Sequence, residues 1–313
     1  MKPQRIILAG GSGFMGGVLQ QHYVRAGFDV VVLSRKQTPA LPGVRSLTWD
    51  GIDTGPWAAE FEGADVVINL AGRSVDCRYH DRNRREILES RVQSTRLIGE
   101  VIRDCRRPPR TWLNASTATI YRHTFGPAWD ETGETGATPS ANDAFSVEVA
   151  KAWEDAVDFS ATLQARKVKL RAAMVMGLGR NSVFPVLRRL TRLGLGGRMG
   201  DGHQFVSWVH QDDLCRALDF VLEHEEIDGA INIAAPNPLP NAELMQEMRR
   251  AMGMPLGLPA ARWMLEAGAW LLRTETELIL KSRRVVPGRL MQAGFKFQFK
   301  NVVDAIRDLI RRG

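Results

Sequence analysis

Long apolar runs are missing from this chain of 313 residues. No stretch approaches the ~18 residues of a membrane span, and Arg, Asp, Glu or Lys interrupts each long apolar segment. The opening "MKPQRIILAGGSG" has one basic cluster and a short apolar run ending in glycines. A secretory signal needs a longer apolar region before a small-residue cleavage site. Cysteine is scarce: Cys77, Cys105 and Cys215 are far apart, odd in number and without metal-ligand spacing. That sets aside a disulfide framework and a metal site, and reduced thiols in a cytoplasmic protein are expected. Tyrosine is scarcer than its aromatic partners, with only Tyr23, Tyr79 and Tyr121.

Charge is not lacking, since 42 Lys and Arg against 35 Asp and Glu leave a formal +7. The densest basic run, "RYHDRNRRE", falls in a helix expected over 80–105, where Asp81, Glu86 and Glu89 alternate with the arginines as on a solvated face. No zinc-finger spacing or aromatic ribonucleoprotein motif accompanies it, so no nucleic-acid partner is expected. A basic protein also suits anionic nucleotide ligands.

Apolar residues make up 44% of the chain, enough to fill the core of one large or two modest domains. Strands are expected at 5–9, 29–34, 65–71, 111–116 and 168–175, with helices at 13–26, 80–105 and 142–165. This alternation predicts an α/β fold, a doubly wound parallel sheet covered on both faces. The third helix places Phe145, Val149, Trp153 and Val157 on one face. Beyond residue 176 come Gly-rich turns around "VFPVLRRLTRL". The segment from "FVSWVH" to "INIA" then reads strand, helix, strand, and is expected to rejoin the main sheet. The remainder is mostly helical, with Trp263 and Trp270 expected to pack a small domain's core. A cofactor-binding domain over 1–175, joined by 206–234, and a substrate-binding domain over 176–205 and 235–313 follow from this division.

"LAGGSGFMGG", residues 8–17, follows a strand and opens a helix, with Gly10, Gly13 and Gly16 three apart. Glycine permits a tight turn and lets backbone N–H groups reach a pyrophosphate at the helix N-terminus. Ser12, Gly13, Phe14, Met15 and Gly16 are therefore candidate cofactor contacts with Gly10. NAD-binding folds carry an acid at the end of the second strand, about 20 residues past the glycines. Here Ser34-Arg35-Lys36 stand instead, and their cations favour a 2′-phosphate. The expected cofactor is NADP(H).

Glycines spaced by three resemble the extended short-chain dehydrogenase/reductase superfamily. "NLAG" (69–72) resembles its turn under the cofactor, which adds Leu70, Ala71 and Gly72. "ASTATIYR" (115–122) resembles the segment bearing the catalytic Ser/Thr, which places Thr117 there. "LRAAMVMGLG" and "WVHQDDL" resemble later segments of the same superfamily. "ESRVQSTRLI", the "WE" at 153–154, "RLGLGG" and "VVPGRLMQAGF" resemble one subgroup, epimerase-like proteins with a short C-terminal domain of unknown function. The resemblance implies a Rossmann-type sheet with a smaller, mainly helical C-terminal substrate domain. It also implies a nucleotide-sugar or small carbonyl or hydroxyl substrate. A monomer and a homodimer both fit.

That superfamily's chemistry uses Tyr-x-x-x-Lys on the helix after the fifth strand, where the lysine helps the phenol exchange a proton. This chain has no such pair: Gly27, Asn83 and Phe125 stand four residues after the three tyrosines. At the expected place one register offers Phe145 and Val149, the next Ser146 and Ala150. Tyr121, at the end of the fifth strand, is the candidate replacement, with Thr117 orienting a substrate oxygen or simply bonding backbone. Arg91 reaches the cofactor or bridges helix to sheet. Two functions follow: an NADP(H)-dependent epimerase-like oxidoreductase, or a non-catalytic NADP(H)-binding sensor or cell-division factor.

Overall fold

The computed structural model describes residues 4–36, 41–179, 181–261, 263–264, 266 and 275–313. Its centre is a seven-stranded sheet in which every neighbouring pair runs parallel. In chain order the strands are β1 (Arg5–Ala9), β2 (Asp29–Ser34), β3 (Val44–Thr48), β4 (Val66–Asn69), β5 (Thr111–Thr117), β6 (Arg166–Ala172) and, last to join, Gly229–Ile233. Across the sheet the order is β3-β2-β1-β4-β5-β6 and then Gly229–Ile233. The strand order reverses between β1 and β4, which opens a crevice at their C-terminal ends.

Alternation along β1 and β2 feeds two cores. Ile6, Leu8, Val30 and Val32 pack one face under helices α1 (Phe14–Arg25) and Gln211–Glu223. Ile7, Ala9, Val31 and Leu33 pack the other, under α2 (Asp81–Asp104) and α3 (Ala144–Asp158). Burial on both faces explains why these strands read as unbroken apolar runs.

Four expectations need correction. Strand β3 was not foreseen: "VRSLT" is half-exposed and polar, as an edge strand is, so it lacks the apolar signature. The strand expected at 168–175 is two. β6 stops at Ala172, and Met174–Met176 leaves the sheet to pair with Trp208–His210 in a separate parallel ribbon. Of the segment expected to rejoin the main sheet, only Gly229–Ile233 does so. The third helix also ends at Asp158, where Ser160 turns its hydroxyl back onto the Ala156 carbonyl at 2.7 Å.

A further core joins Met176, Phe184, Leu187 and Trp208 to Leu244, Met245 and Met248 and to Ile306 and Leu309 of the C-terminal helix Val302–Arg312. Methionine and leucine fill this space. Trp263, expected there, is 70% exposed, and Trp270 lies outside the described residues. Among the described residues no helix is long and apolar enough to cross a membrane.

Candidate active site at the strand ends

The loop after β1 is shaped by two close approaches. Gly10 has φ +73°, and a Cβ there would lie 2.6 Å from Ala71 Cα, in the turn after β4. Its N–H donates to Leu33 O at 2.8 Å, tying the loop to β2. A Cβ on Gly16 would lie 2.0 Å from Gly11 O, so the first turn of α1 rests directly on the loop. Gly13 differs: a Cβ there would meet nothing within 4 Å. As N-cap it brings no capping side chain, and no acid follows in the first turn. The start of α1 therefore presents backbone donors and a positive dipole end to open space, which suits an anion. Ser12 is exposed beside it. Phe14 and Met15 offer only backbone, because Phe14 packs against Gly177 and Gly179, and Met15 against the core.

At the end of β2, Ser34 is buried and donates its hydroxyl to Lys36 O at 2.6 Å. This bend leaves Arg35 and Lys36 exposed, and neither makes an ion pair among the described residues. Asp50, two positions past the β3 partner of Ser34, instead accepts the N–H groups of Ile52 (2.9 Å) and Asp53 (3.0 Å). The strand end keeps its positive character.

After β4 the chain turns through Leu70, Ala71 and Gly72. Buried Asn69 fixes that turn by accepting Ala71 N–H at 3.0 Å and donating to Asn114 Oδ1 at 2.7 Å and Thr95 Oγ1 at 3.0 Å. Arg91 donates from one nitrogen to Arg73 O (3.0 Å) and Ile87 O (2.9 Å), and lies 5.0 Å over the Trp153 ring. Its Cζ would be 3.0 Å from a Gly72 Cβ. Burial lowers its pKa to about 10. Arg91 thus bridges helix to loop, backing the turn.

Thr117 closes β5, half-buried, its Oγ1 accepting Thr119 N–H at 3.1 Å. Tyr121 turns its hydroxyl inward. It is 1% exposed; its hydroxyl donates to Asn232 Oδ1 at 2.8 Å and accepts from Arg171 at 2.9 Å. Arg171 in turn forks onto Glu154, which also accepts the Ser116 hydroxyl at 2.6 Å. Burial raises the Tyr121 phenol, against the pull of Arg171 and Asn232. Thr117 and Tyr121 are near in sequence, but only Thr117 stays at the strand-end crevice. Tyr121 is held in an internal network by Arg171 and Asn232, partners 50 and 111 positions away in the sequence.

On α3 the missing pair is replaced by packing. Phe145 and Val149 sit in an apolar cluster with Ile87, and Ala150 in another with Ala118 and Ile120. Ser146 donates to Glu277 Oε2 at 2.6 Å, while Glu148 and Lys151 are exposed. Glu277 brings residues that no local pattern pointed to. Lys281 pairs with Asp143 at 2.6 Å and donates to Thr119 O at 2.7 Å. Arg283 donates to Thr119 Oγ1 at 3.0 Å and meets Glu277 at 3.3 Å. Their only trace in sequence is the charged string "TETELILKSRR", and pairing across 131 to 164 positions cannot be read from it.

A parallel sheet with this order, opened by a glycine turn against an uncapped helix, defines a Rossmann-type protein of the short-chain dehydrogenase/reductase superfamily. More narrowly, the chain belongs to the NAD dependent epimerase/dehydratase family, which residues 6–234 match; residues 260–309 match a domain of unknown function, DUF1731. The human epimerase family protein SDR39U1 is 29% identical over 309 residues, spanning 98% of this chain and 99% of that protein. YfhF of Bacillus subtilis is 28% identical over 306 residues, covering 97% of each. The crystal structure of human SDR39U1 isoform 2 with NADPH superimposes with a TM-score of 0.85 at 28% identity, covering 99% of this chain and all of that one. A UDP-N-acetylglucosamine 4-epimerase from Bacillus cereus shares the fold, with TM-score 0.74 at 16% identity over 99% of this chain and 97% of that one.

Proposed function

We propose that the protein is an NADP(H)-dependent, epimerase-like oxidoreductase acting on a nucleotide-linked or small carbonyl or hydroxyl compound. One observation carries the cofactor: Arg35 and Lys36 stand exposed at the end of β2, without an ion pair among the described residues, beside the open N-terminus of α1. The backbone of Ser12, Gly13, Phe14, Met15 and Gly16 would hold the pyrophosphate, with Gly10 shaping the turn. Arg35 and Lys36 would hold the 2′-phosphate, and Ser34 shapes their bend. Leu70, Ala71 and Gly72, braced by Arg91, would pass beneath the dinucleotide. The NADPH in the crystal structure of human SDR39U1 supports this reading. When bound, NADP(H) supplies or accepts hydride. Thr117 would orient the substrate oxygen at the end of β5, and residues 176–205 and 235–313 would supply substrate contacts.

The test is binding first, then turnover. Calorimetry with NADPH and NADH should show preference for NADPH, and equal affinities untouched by Arg35→Ala would refute the cofactor. NADPH oxidation and product analysis across ketones and sugar nucleotides should then find a substrate. A second reading, a non-catalytic NADP(H)-binding sensor, is favoured by the apolar packing of Phe145, Val149 and Ala150. Tight NADPH binding without turnover, joined to a redox-dependent change of partner, would decide for it.

A further inference from the structure

Tyr79 lies on the loop between β4 and α2. Tyr79 Oη is buried and has no hydrogen-bond partner among the described residues. A buried hydroxyl left unbonded is costly, so this one gains from bonding an incoming oxygen. The Tyr79 ring stands edge-on to Phe145, with centroids 5.0 Å apart. That contact brings the phenol to the first turn of α3, where the Ser146 hydroxyl lies beside it, outside close hydrogen-bond geometry.

From Ser146 a continuous set of contacts leads to the strand ends. Ser146 donates to Glu277 at 2.6 Å, Glu277 meets Arg283 at 3.3 Å, and Arg283 donates to Thr119 Oγ1 at 3.0 Å. Thr119 N–H then donates to Thr117 Oγ1 at 3.1 Å. On the other side, Arg91, which braces the Gly72 turn, interacts electrostatically with the Tyr79 phenol. These contacts connect Tyr79 to the turns that end β4 and β5. The other tyrosines are held differently. Tyr121 has both hydrogen-bonding capacities used, and Tyr23 sits near the far end of α1 in the core.

We propose that Tyr79 is the proton donor of this site, giving its phenolic proton to the oxygen of a substrate carbonyl, with Ser146 and Glu277 as positioning residues. This rests on the NADP(H)-dependent carbonyl chemistry proposed above. The Tyr79 O–H bond breaks, and the proton bonds the carbonyl oxygen as that oxygen takes the C=O π pair. The carbonyl carbon gains the hydride for which NADPH is the reductant. A hydroxyl forms, and the phenolate takes a proton from water after product leaves. Burial, with Glu277 nearby, pushes the phenol up to about 12, against the opposing effect of Ser146. Like an ordinary tyrosine, it holds its proton at neutral pH until an acceptor takes it. Arg91 and Arg283 provide positive charge near the phenolate.

Three tyrosines make the test direct. Labelling tyrosine with carbon-13 at Cζ gives three signals, assigned by Tyr23→Phe, Tyr79→Phe and Tyr121→Phe. Without any substrate, the Tyr79 signal should shift on saturation with NADPH and shift again with NADP+. Ser146→Ala should displace it in the free protein. A Tyr79 signal indifferent to saturating cofactor overturns the donor assignment and leaves the cofactor reading intact. Absence of NADPH binding, followed by tryptophan fluorescence on the same samples, overturns both. With 9,10-phenanthrenequinone as carbonyl probe, Tyr79→Phe should lower kcat about 100-fold or more at unchanged NADPH affinity. It removes a hydroxyl without a close hydrogen-bond partner among the described residues, so it should melt with the parent. A Tyr79→Phe variant with the parent's kcat on this probe also overturns the assignment.

Discussion

Glu154 grips Arg171 inside the protein: both carboxylate oxygens accept guanidinium N–H groups at 2.8 Å, and the side chains are almost fully shielded from water. Tyr121 completes the arrangement from the other side of Arg171. Removing its hydroxyl leaves Asn232 Oδ1 and one Arg171 nitrogen with a lost bond in a buried place. Tyr121→Phe should therefore cost about 1–3 kcal/mol of stability, read by urea melts, with NADPH affinity unchanged. Glu154→Ala should cost more, about 3–5 kcal/mol, because it strands a buried guanidinium. Equal stability of Tyr121→Phe and the parent would argue that the phenol does not hold this network.

The glycines of the first loop should separate into two kinds. Gly16→Ala forces a Cβ to within 2.0 Å of Gly11 O, and backbone cannot yield there as a flexible side chain can. That variant should fold poorly. Gly13→Ala meets nothing within 4 Å, so it should melt with the parent while placing a methyl where the pyrophosphate would sit. Its NADPH affinity should fall about tenfold or more, equivalent to ~1.4 kcal/mol. Thermal melts with calorimetry on both variants distinguish them. Lost stability in Gly13→Ala, or retained affinity, would place the anion elsewhere.

Arg35→Ala and Lys36→Ala remove exposed charges, so neither should change the melting temperature measurably. Each should weaken NADPH more than NADH. A charge-assisted hydrogen bond to phosphate is worth about 1.5–3 kcal/mol, or about 10- to 150-fold in Kd. The double variant should bind the two cofactors with similar affinity. Raising salt should erode the parent's preference as well, since these cations are open to solvent.

How much of this was legible in sequence depends on how local each signal was. The glycine turn, the Ser34-Arg35-Lys36 end and the β4 turn are short, contiguous patterns, each fixed by its own backbone demands. The sheet was legible where strands are buried on both faces, as in β1 and β2. It was not legible at β3, an edge strand that needs no apolar face, nor at Ala172, where the chain changes sheets without punctuation. Tyr121 shows a different limit. Tyr121 adjoins Thr117 in sequence, yet Arg171 and Asn232 turn its hydroxyl inward. Tyr79 meets Phe145 and the neighbourhood of Glu277 only through contacts between distant segments. Local patterns carry turns and buried strands; a contact network assembled from distant segments leaves no such trace.

His210 supplies the last prediction, a stability that falls in mild acid. It is fully buried at the start of helix Gln211–Glu223, where its Nδ1 accepts Asp212 N–H at 3.1 Å. That bond fixes the neutral ring with its proton on Nε2, which faces Asp308 Oδ2 at 3.4 Å. Burial lowers its pKa below the ordinary value, although Asp212 and Asp308 oppose this, and Arg312 adds to the lowering. Arg312 already pairs with both carboxylates at 2.7 Å. The unfolded chain thus takes up its proton near pH ~6.5, before the folded one does. Stability should be full above about pH 6.5 and decline as pH falls towards the lower folded value. His123, lowered first by its own burial, adds in the same direction. His210→Asn keeps an acceptor for the cap and removes the titration. Urea melts at pH ~7.5 and ~5.5 should show a smaller loss in this variant than in the parent, even if the variant is less stable at both. An unchanged pH dependence in His210→Asn would assign the acid sensitivity to other groups.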